Sequence, residues 1–174
     1  QAALADTPAA RAMRREFRIL VYPMLNAPGR YGGGWRGSFT LGFHGEDDAN
    51  RHFPETQTGL QIVDLPKAAM TLDRRGESLA WAIDSHGTYG SKWAMFVESW
   101  PSSLLFHTQL SAAFGQGIVD EGDSHPGFVS EYLRTLGASP SITLETGDPS
   151  PVSDAEIAAF GVAVVSALAA MTAG

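Results

Sequence analysis

The 174-residue chain contains no cysteine. That excludes a disulfide frame, a thiolate metal site and a cysteine nucleophile, and it fits either redox compartment. Positive charge is scarce: 12 Lys and Arg stand against 19 Asp and Glu, for a net charge of −7 at pH 7. Nucleic acid and anionic membrane surfaces both demand a basic footprint, so neither is expected as a main partner. Charge is missing altogether from 157–174. That run reaches the lower limit for a spanning helix. It is mostly alanine, however, and no basic residue follows it, so a buried helix is expected instead. The opening Gln1-Ala2-Ala3-Leu4-Ala5 is too short for the apolar core of a signal peptide and has no basic flank.

What is present is ordinary globular material, 44% hydrophobic and 18% charged, in a length suited to one domain with a real core. No internal repeat and no domain boundary interrupts it, so 1–174 reads as a single domain. Thr7-Pro8 is a helix start, an N-cap followed by proline at the first helical position, and 8–15 suits the helix. Residues 17–22 are rich in β formers and read as a strand. Residues 26–59 form a long loop region whose Trp35, Phe39, Phe43 and Phe53 are expected to pack onto the body. Its Gly32-Gly33-Gly34 lacks the Lys-Ser/Thr ending of a phosphate loop.

Asp64 to Arg75 reads as a helix stopped by Gly76, and Ser78 to Asp84 as a central strand that breaks into a polar loop at Ser85. Lys92–Ser99 is a second extended run. Pro101–Phe114 is expected to be an amphipathic helix with Leu104, Leu105, Leu110 and Phe114 inward. A Gly- and Asp-rich loop over 115–127 leads to a short helix, Phe128–Leu136, ended by Gly137. Ser141–Glu145 is a strand, and Ser153-Asp154-Ala155-Glu156 is a capping box that opens the last helix. Alternating helices and strands imply an α/β domain: a mostly parallel, mixed, twisted sheet with helices on both faces.

In such sheets ligands gather at the carboxyl ends of strands. The segments there are Asn26-Ala27-Pro28-Gly29, then Asp48-Ala49-Asn50-Arg51-His52-Phe53-Pro54, then Asp84-Ser85-His86-Gly87, and last Thr143-Leu144-Glu145-Thr146. Their order resembles the zinc carboxypeptidase superfamily, including its succinylglutamate desuccinylase and aspartoacylase branch. That family runs Asn-Pro-x-Gly, Asp-x-Asn-Arg-x-Phe-Pro, Asp-x-His and Thr-x-Glu before a C-terminal helix. The resemblance implies a phosphorylase/hydrolase-like fold and a zinc-dependent hydrolase cleaving an amide beside a carboxylate-bearing group. By resemblance His86 is a zinc ligand, Glu145 the general base, and Asn50 with Arg51 the pair that grips a substrate carboxylate. Arg36 matches the arginine that stabilises the developing oxyanion, with Arg30 a competitor in the same loop. The implied substrate is a small peptide or an N-acyl amino acid. Ordinary structural roles stand beside these: a loop-pinning ion pair for Arg51 and a helix-start charge for Glu145.

The departure from the family lies upstream. Its other two zinc ligands come from a His-x-x-Glu ahead of Asn-Pro-x-Gly, and no such pair precedes Asn26. About 80–120 further residues are expected on the N-terminal side by the size of such domains. The chain therefore reads as the C-terminal part of the catalytic domain, with two zinc ligands supplied by a companion chain or segment. The alternative is a carboxypeptidase-like binding module that has lost its metal. Two decoys are weighed. His52-Phe53-Pro54-Glu55 spells His-x-x-Glu, but Pro54 spoils the helix that would align the pair. Gly122-Asp123-Ser124-His125 suggests a serine esterase, but it lies late in the chain rather than after a first strand. His125 is an alternative pocket residue, His44 and His107 read as loop and helix-surface residues, and Tyr89 and Tyr132 are phenols that no motif places.

Overall fold

The computed structural model describes residues 6–22, 52–53, 61–88, 92–97, 100–122, 128–147 and 152–172. Those residues form helices α1 (Pro8–Glu16), α2 (Gln61–Arg74), α3 (Pro101–Phe114), α4 (Val129–Thr135) and α5 (Asp154–Thr172). The strands are β1 (Ala82–Thr88), β2 (Trp93–Met95), β3 (Val119–Asp120) and β4 (Ser141–Gly147). The four strands make one sheet in the order β1-β4-β2-β3. It is mixed: β2 pairs with β3 in parallel and with β4 antiparallel, with Trp93 opposite Thr146, Ala94 opposite Glu145 and Met95 opposite Leu144. The α/β class expected from the element pattern is the observed one.

The chain divides into two compact units. The first comprises residues 1–19, 83–124 and 140–174. It holds almost all of the sheet together with α1, α3 and α5. Side chains two apart on a strand share a face, so Trp93 and Met95 lie on the same side as Leu144 and Thr146. That side is where helices pack: the Trp93 ring meets Phe114 of α3 at 4.9 Å, edge-on, and Phe160 of α5 at 4.6 Å. Phe106, Leu110 and Met95 are fully buried here, and Ala163, Ala167 and Leu168 are buried along one stripe of α5. Helix α1 packs on α5 through buried Ala10 and Met13.

The second unit comprises residues 20–82 and 125–139. Its core is Phe53, Val63, Met70 and Val129, with Tyr22, Tyr132 and Leu133 packed around it. Phe53 is thus inward, as expected; Trp35, Phe39 and Phe43 lie outside the described residues. Tyr22 donates to Asp73 Oδ2 at 2.7 Å, and Lys67 Nζ sits 5.1 Å above the Tyr132 ring. Tyr132 is a packing residue here.

The caps follow the sequence closely. Thr7 Oγ1 accepts from Ala10 N at 3.1 Å ahead of Pro8. Ser153 and Glu156 form the reciprocal box: Ser153 N donates to Glu156 Oε2 at 2.9 Å, and Glu156 N donates to Ser153 Oγ at 3.3 Å. Gly115 closes α3 at φ 70°, donating to Ser111 O at 3.1 Å, and Gly137 follows α4 at φ 99°.

Several expectations are corrected. Residues 17–22 form no strand among the described residues, because β propensity does not by itself provide a pairing partner. Helix α2 begins three residues before the expected Asp64 and carries Pro66 inside. Strand β1 starts at Ala82 rather than Ser78 and runs through His86, where a loop was expected. It stands first in the strand order, not in the centre. Helix α3 has the expected limits, and Leu110 and Phe114 face inward as expected, Phe114 against Trp93; Ser103 and Phe106 are buried beside them, whereas Leu104 and Leu105 are about half exposed (50% and 47%). Helix α5 is buried along one stripe only, with Ile157 and Val162 exposed. Among the described residues it is the one helix long and apolar enough to cross a membrane.

Candidate functional site

His86 and Glu145 are the expected site residues that fall within the described part of the chain. Each is the fifth residue of a seven-residue strand, His86 in β1 and Glu145 in β4. The two strands are hydrogen-bonded neighbours, and neighbouring strands run about 4.8 Å apart. Two groups far apart in sequence are thereby carried on adjacent strands of one sheet.

The placement of Glu145 follows from register. It lies opposite Ala94, and so on the face that Trp93, Met95 and Leu144 do not use. Helices α3 and α5 cover the Trp93 face; Glu145 belongs to the other. Its neighbours two and four residues back on that face, Thr143 and Ser141, are buried, while Glu145 itself is partly accessible. A carboxylate that keeps contact with solvent escapes the cost of burying an unpaired charge and remains open to a substrate.

His86 has a different setting. Residues Ala82, Asp84 and His86 alternate onto one face of β1. Ala82 and Asp84 are buried, and Ser85 between Asp84 and His86 is exposed on the other face. Asp84 Oδ2 lies 2.8 Å from His86 Nε2. The Asp84 side chain is 8% exposed and the His86 ring 28%. An imidazole held by a carboxylate on one nitrogen is the donor arrangement that suits a zinc ligand. The described part of the chain thus supplies one candidate ligand together with its supporting group. No set of three His, Asp or Glu side chains that could hold a metal occurs among the described residues.

Arg36, Asn50 and Arg51 lie outside the described residues, as do Glu55 of the His-x-x-Glu decoy and Asp123, Ser124 and His125 of the other. Gly122 is described: it sits at φ 82° and donates to Asp120 Oδ1 at 2.7 Å, a local turn. His107, expected on the helix surface, is partly buried and bonds instead to the Ile118 carbonyl oxygen at 3.1 Å, tying α3 to the segment that enters β3. Sequence reasoning missed the Asp84–His86 pair. The signal was present as Asp-x-His, but two residues apart meet only on a strand, and a loop was expected there.

No family model and no curated protein matches the chain. Solved structures do. A metallo-carboxypeptidase from Burkholderia cenocepacia superposes with a TM-score of 0.72 at 17% identity, over 97% of this chain and 49% of its own. A protein assigned as a carboxypeptidase from Burkholderia mallei ATCC 23344 superposes with a TM-score of 0.66, also at 17% identity, over 94% of this chain and 47% of its own. The chain spans about half the length of each.

Proposed function

We propose, from a fold shared with metallo-carboxypeptidases over about half their length, that this chain carries part of the site of a zinc-dependent amide hydrolase. The supporting observation is the placement of His86, backed by buried Asp84, on the strand next to the one that carries Glu145. In this reading His86 is one metal ligand, and two more come from a segment ahead of Gln1 or from a companion chain. The 174 residues then form the C-terminal portion of one catalytic domain.

Zinc, when bound, polarises the scissile carbonyl and makes water acidic enough to attack near neutral pH. The remaining work falls to the chain itself. Glu145 takes the proton from the attacking water and returns it to the leaving amine, a task that needs a partly accessible carboxylate. Arg51, with Asn50 beside it, holds the substrate carboxylate; a planar guanidinium fork matches that group with two parallel hydrogen bonds. Arg36 offsets negative charge on the carbonyl oxygen as it develops. The substrate class is a small peptide or an N-acyl amino acid with a carboxylate next to the cleaved amide. The desuccinylase and aspartoacylase branch is one place where such substrates are met.

The test uses the full gene product. Zinc content is expected at one per chain and is expected to be lost in His86→Ala. Glu145→Gln should retain the zinc and lose about 10²–10⁴-fold in kcat on a blocked dipeptide or N-acyl amino acid panel. Arg51→Lys should raise KM for carboxylate-bearing substrates more than it lowers kcat. A protein that holds no zinc and cleaves none of the panel would instead be a binding module.

A further inference from the structure

We infer that the outer surface of helices α3 and α5 docks a second copy of this protein, the two helix pairs meeting about a two-fold axis.

Both helices are apolar on more sides than the sheet covers. Neither α3 nor residues 157–172 of α5 contain an Asp, Glu, Lys or Arg. A helix that is hydrophobic all round belongs in a setting that covers it all round. Here each is covered along one side only. Phe106 and Leu110 of α3 and Phe160 and Ala167 of α5 are buried. The opposite sides are open. On α5, Ala158, Ala159 and Val162 are exposed at the spacing of one helical stripe, with Ile157 beside them. Ile157 is 52% exposed and Val162 40%, and Leu104 and Leu105 on α3 are about half exposed. The helices pack on each other, with the Phe114 ring at the end of α3 edge-on to Phe160 in the first half of α5 at 5.0 Å. Their exposed sides therefore make one uncharged layer.

Charge selects the occupant. A partner recognised through ion pairs needs charged groups to answer it, and this layer offers only Asp154 and Glu156, in the first turn of α5. The partner's face must itself be apolar and uncharged. A second copy brings such a face by symmetry, because in a two-fold contact the same patch serves on both sides. Two chains of net charge −7 repel one another, and an uncharged layer is where they can meet. A lipid surface fits less well. Helices that lie in a membrane interface carry Lys and Arg to meet the headgroups, and α3 and α5 have none. The size suits a dimer. Helices of 14 and 19 residues are about 21 and 28 Å long and pack about 8–10 Å apart, giving an outer surface of the order of the roughly 800 Å² that each partner of a specific complex covers. The alanines at 158 and 159 allow close approach of a facing helix.

The layer is also clear of the candidate site. Glu145 lies on the face of the sheet that α3 and α5 do not cover. The upstream segment that would bring further zinc ligands is needed on that face, and in this one respect the choice of a second copy rests on the hydrolase reading.

The experiment is sedimentation velocity on the full gene product over about 0.1–100 μM, a range that brackets a micromolar dissociation constant. The mass is expected to rise from one chain to two. Ala158→Glu and Val162→Glu sit at exposed helix positions that tolerate glutamate, and each should weaken association at least about 10-fold by setting like charges in the contact. A single-chain mass throughout overturns the inference, including the case in which residues 1–174 alone pair and the full product does not. So does a mass that climbs past two chains, or a dimer that both glutamate variants leave intact. So does a single-chain protein that partitions onto phosphatidylcholine vesicles and is released by the same variants. Zinc content of the same samples separates the two readings. Zinc with a single-chain mass overturns the docking surface alone, whereas a zinc-free dimer that the glutamate variants dissociate supports the docking surface and overturns the hydrolase.

Discussion

Glu156 carries three partners at once. Lys92 Nζ lies 2.6 Å from Oε1, and both the amide and the hydroxyl of Ser153 donate to Oε2 at 2.9 and 2.8 Å. All of these favour the ionised form, the Lys92 hydrogen bond most, and they pull the carboxyl from its ordinary 4.5 down to about 2. A depressed folded-state value means stability that is complete above pH 4.5 and drains away as the pH falls toward 2. The difference in urea midpoint between wild type and Glu156→Gln is therefore expected to be constant above about pH 5 and to shrink steadily below it. A difference that holds flat down to pH 2.5 would mean the lysine contact is not formed in solution. Deeper in the same unit, Phe106 is fully buried. Phe106→Ala should cost about 3–5 kcal/mol in chemical denaturation, because both the transfer of the ring and the cavity left behind weigh against the fold.

At the scale of elements, helix α3 shows where periodicity fails. It has no charged residue, and apolar side chains occur all round it, so more than one stripe satisfies a three-to-four spacing. The sheet chose Phe106 and Leu110, leaving Leu104 and Leu105 outside. The contrast is measurable: Leu110→Ala should lose about 2–5 kcal/mol, while Leu105→Gln should stay within about 0.5 kcal/mol of wild type. The end of α3 gives a second test. Gly115 sits at φ 70° with open space where a Cβ would go. Gly115→Ala should thus cost only the left-handed backbone penalty, roughly 1–2 kcal/mol by thermal or urea unfolding, with no steric addition. Strand β1 teaches the related lesson that polarity does not end a strand. Asp84 and His86 satisfy one another, and β4 supplies the backbone partner, so the ladder runs on through residues that read as loop.

At the scale of the molecule, the described chain forms two compact units and matches about half of each solved carboxypeptidase-like neighbour. If the remaining zinc ligands come from outside these 174 residues, the chain beginning at Gln1 should hold zinc more weakly than the full gene product. Metal analysis after dialysis of both proteins checks this, and equal retention would place all the ligands within the chain. The net charge of −7 leads to a further expectation: no salt-sensitive binding to a generic DNA duplex in fluorescence anisotropy at low ionic strength, since such binding requires clustered cations.

The sequence by itself determined what depends on short-range chemistry. Thr7-Pro8, the Ser153–Glu156 box and the glycines at 115 and 137 act within a turn of backbone, so their residues specify them directly. The order of the polar strand-end segments likewise pointed to the fold that the superpositions show. Only the tertiary structure decided what depends on pairing between distant segments: the frame of β1, the inward face of α3, the strand order that sets β4 beside β1, and the face on which Glu145 lies. Register, chosen by the partner strand, fixes the face on which Glu145 lies, and the others depend on which distant segments pair and pack.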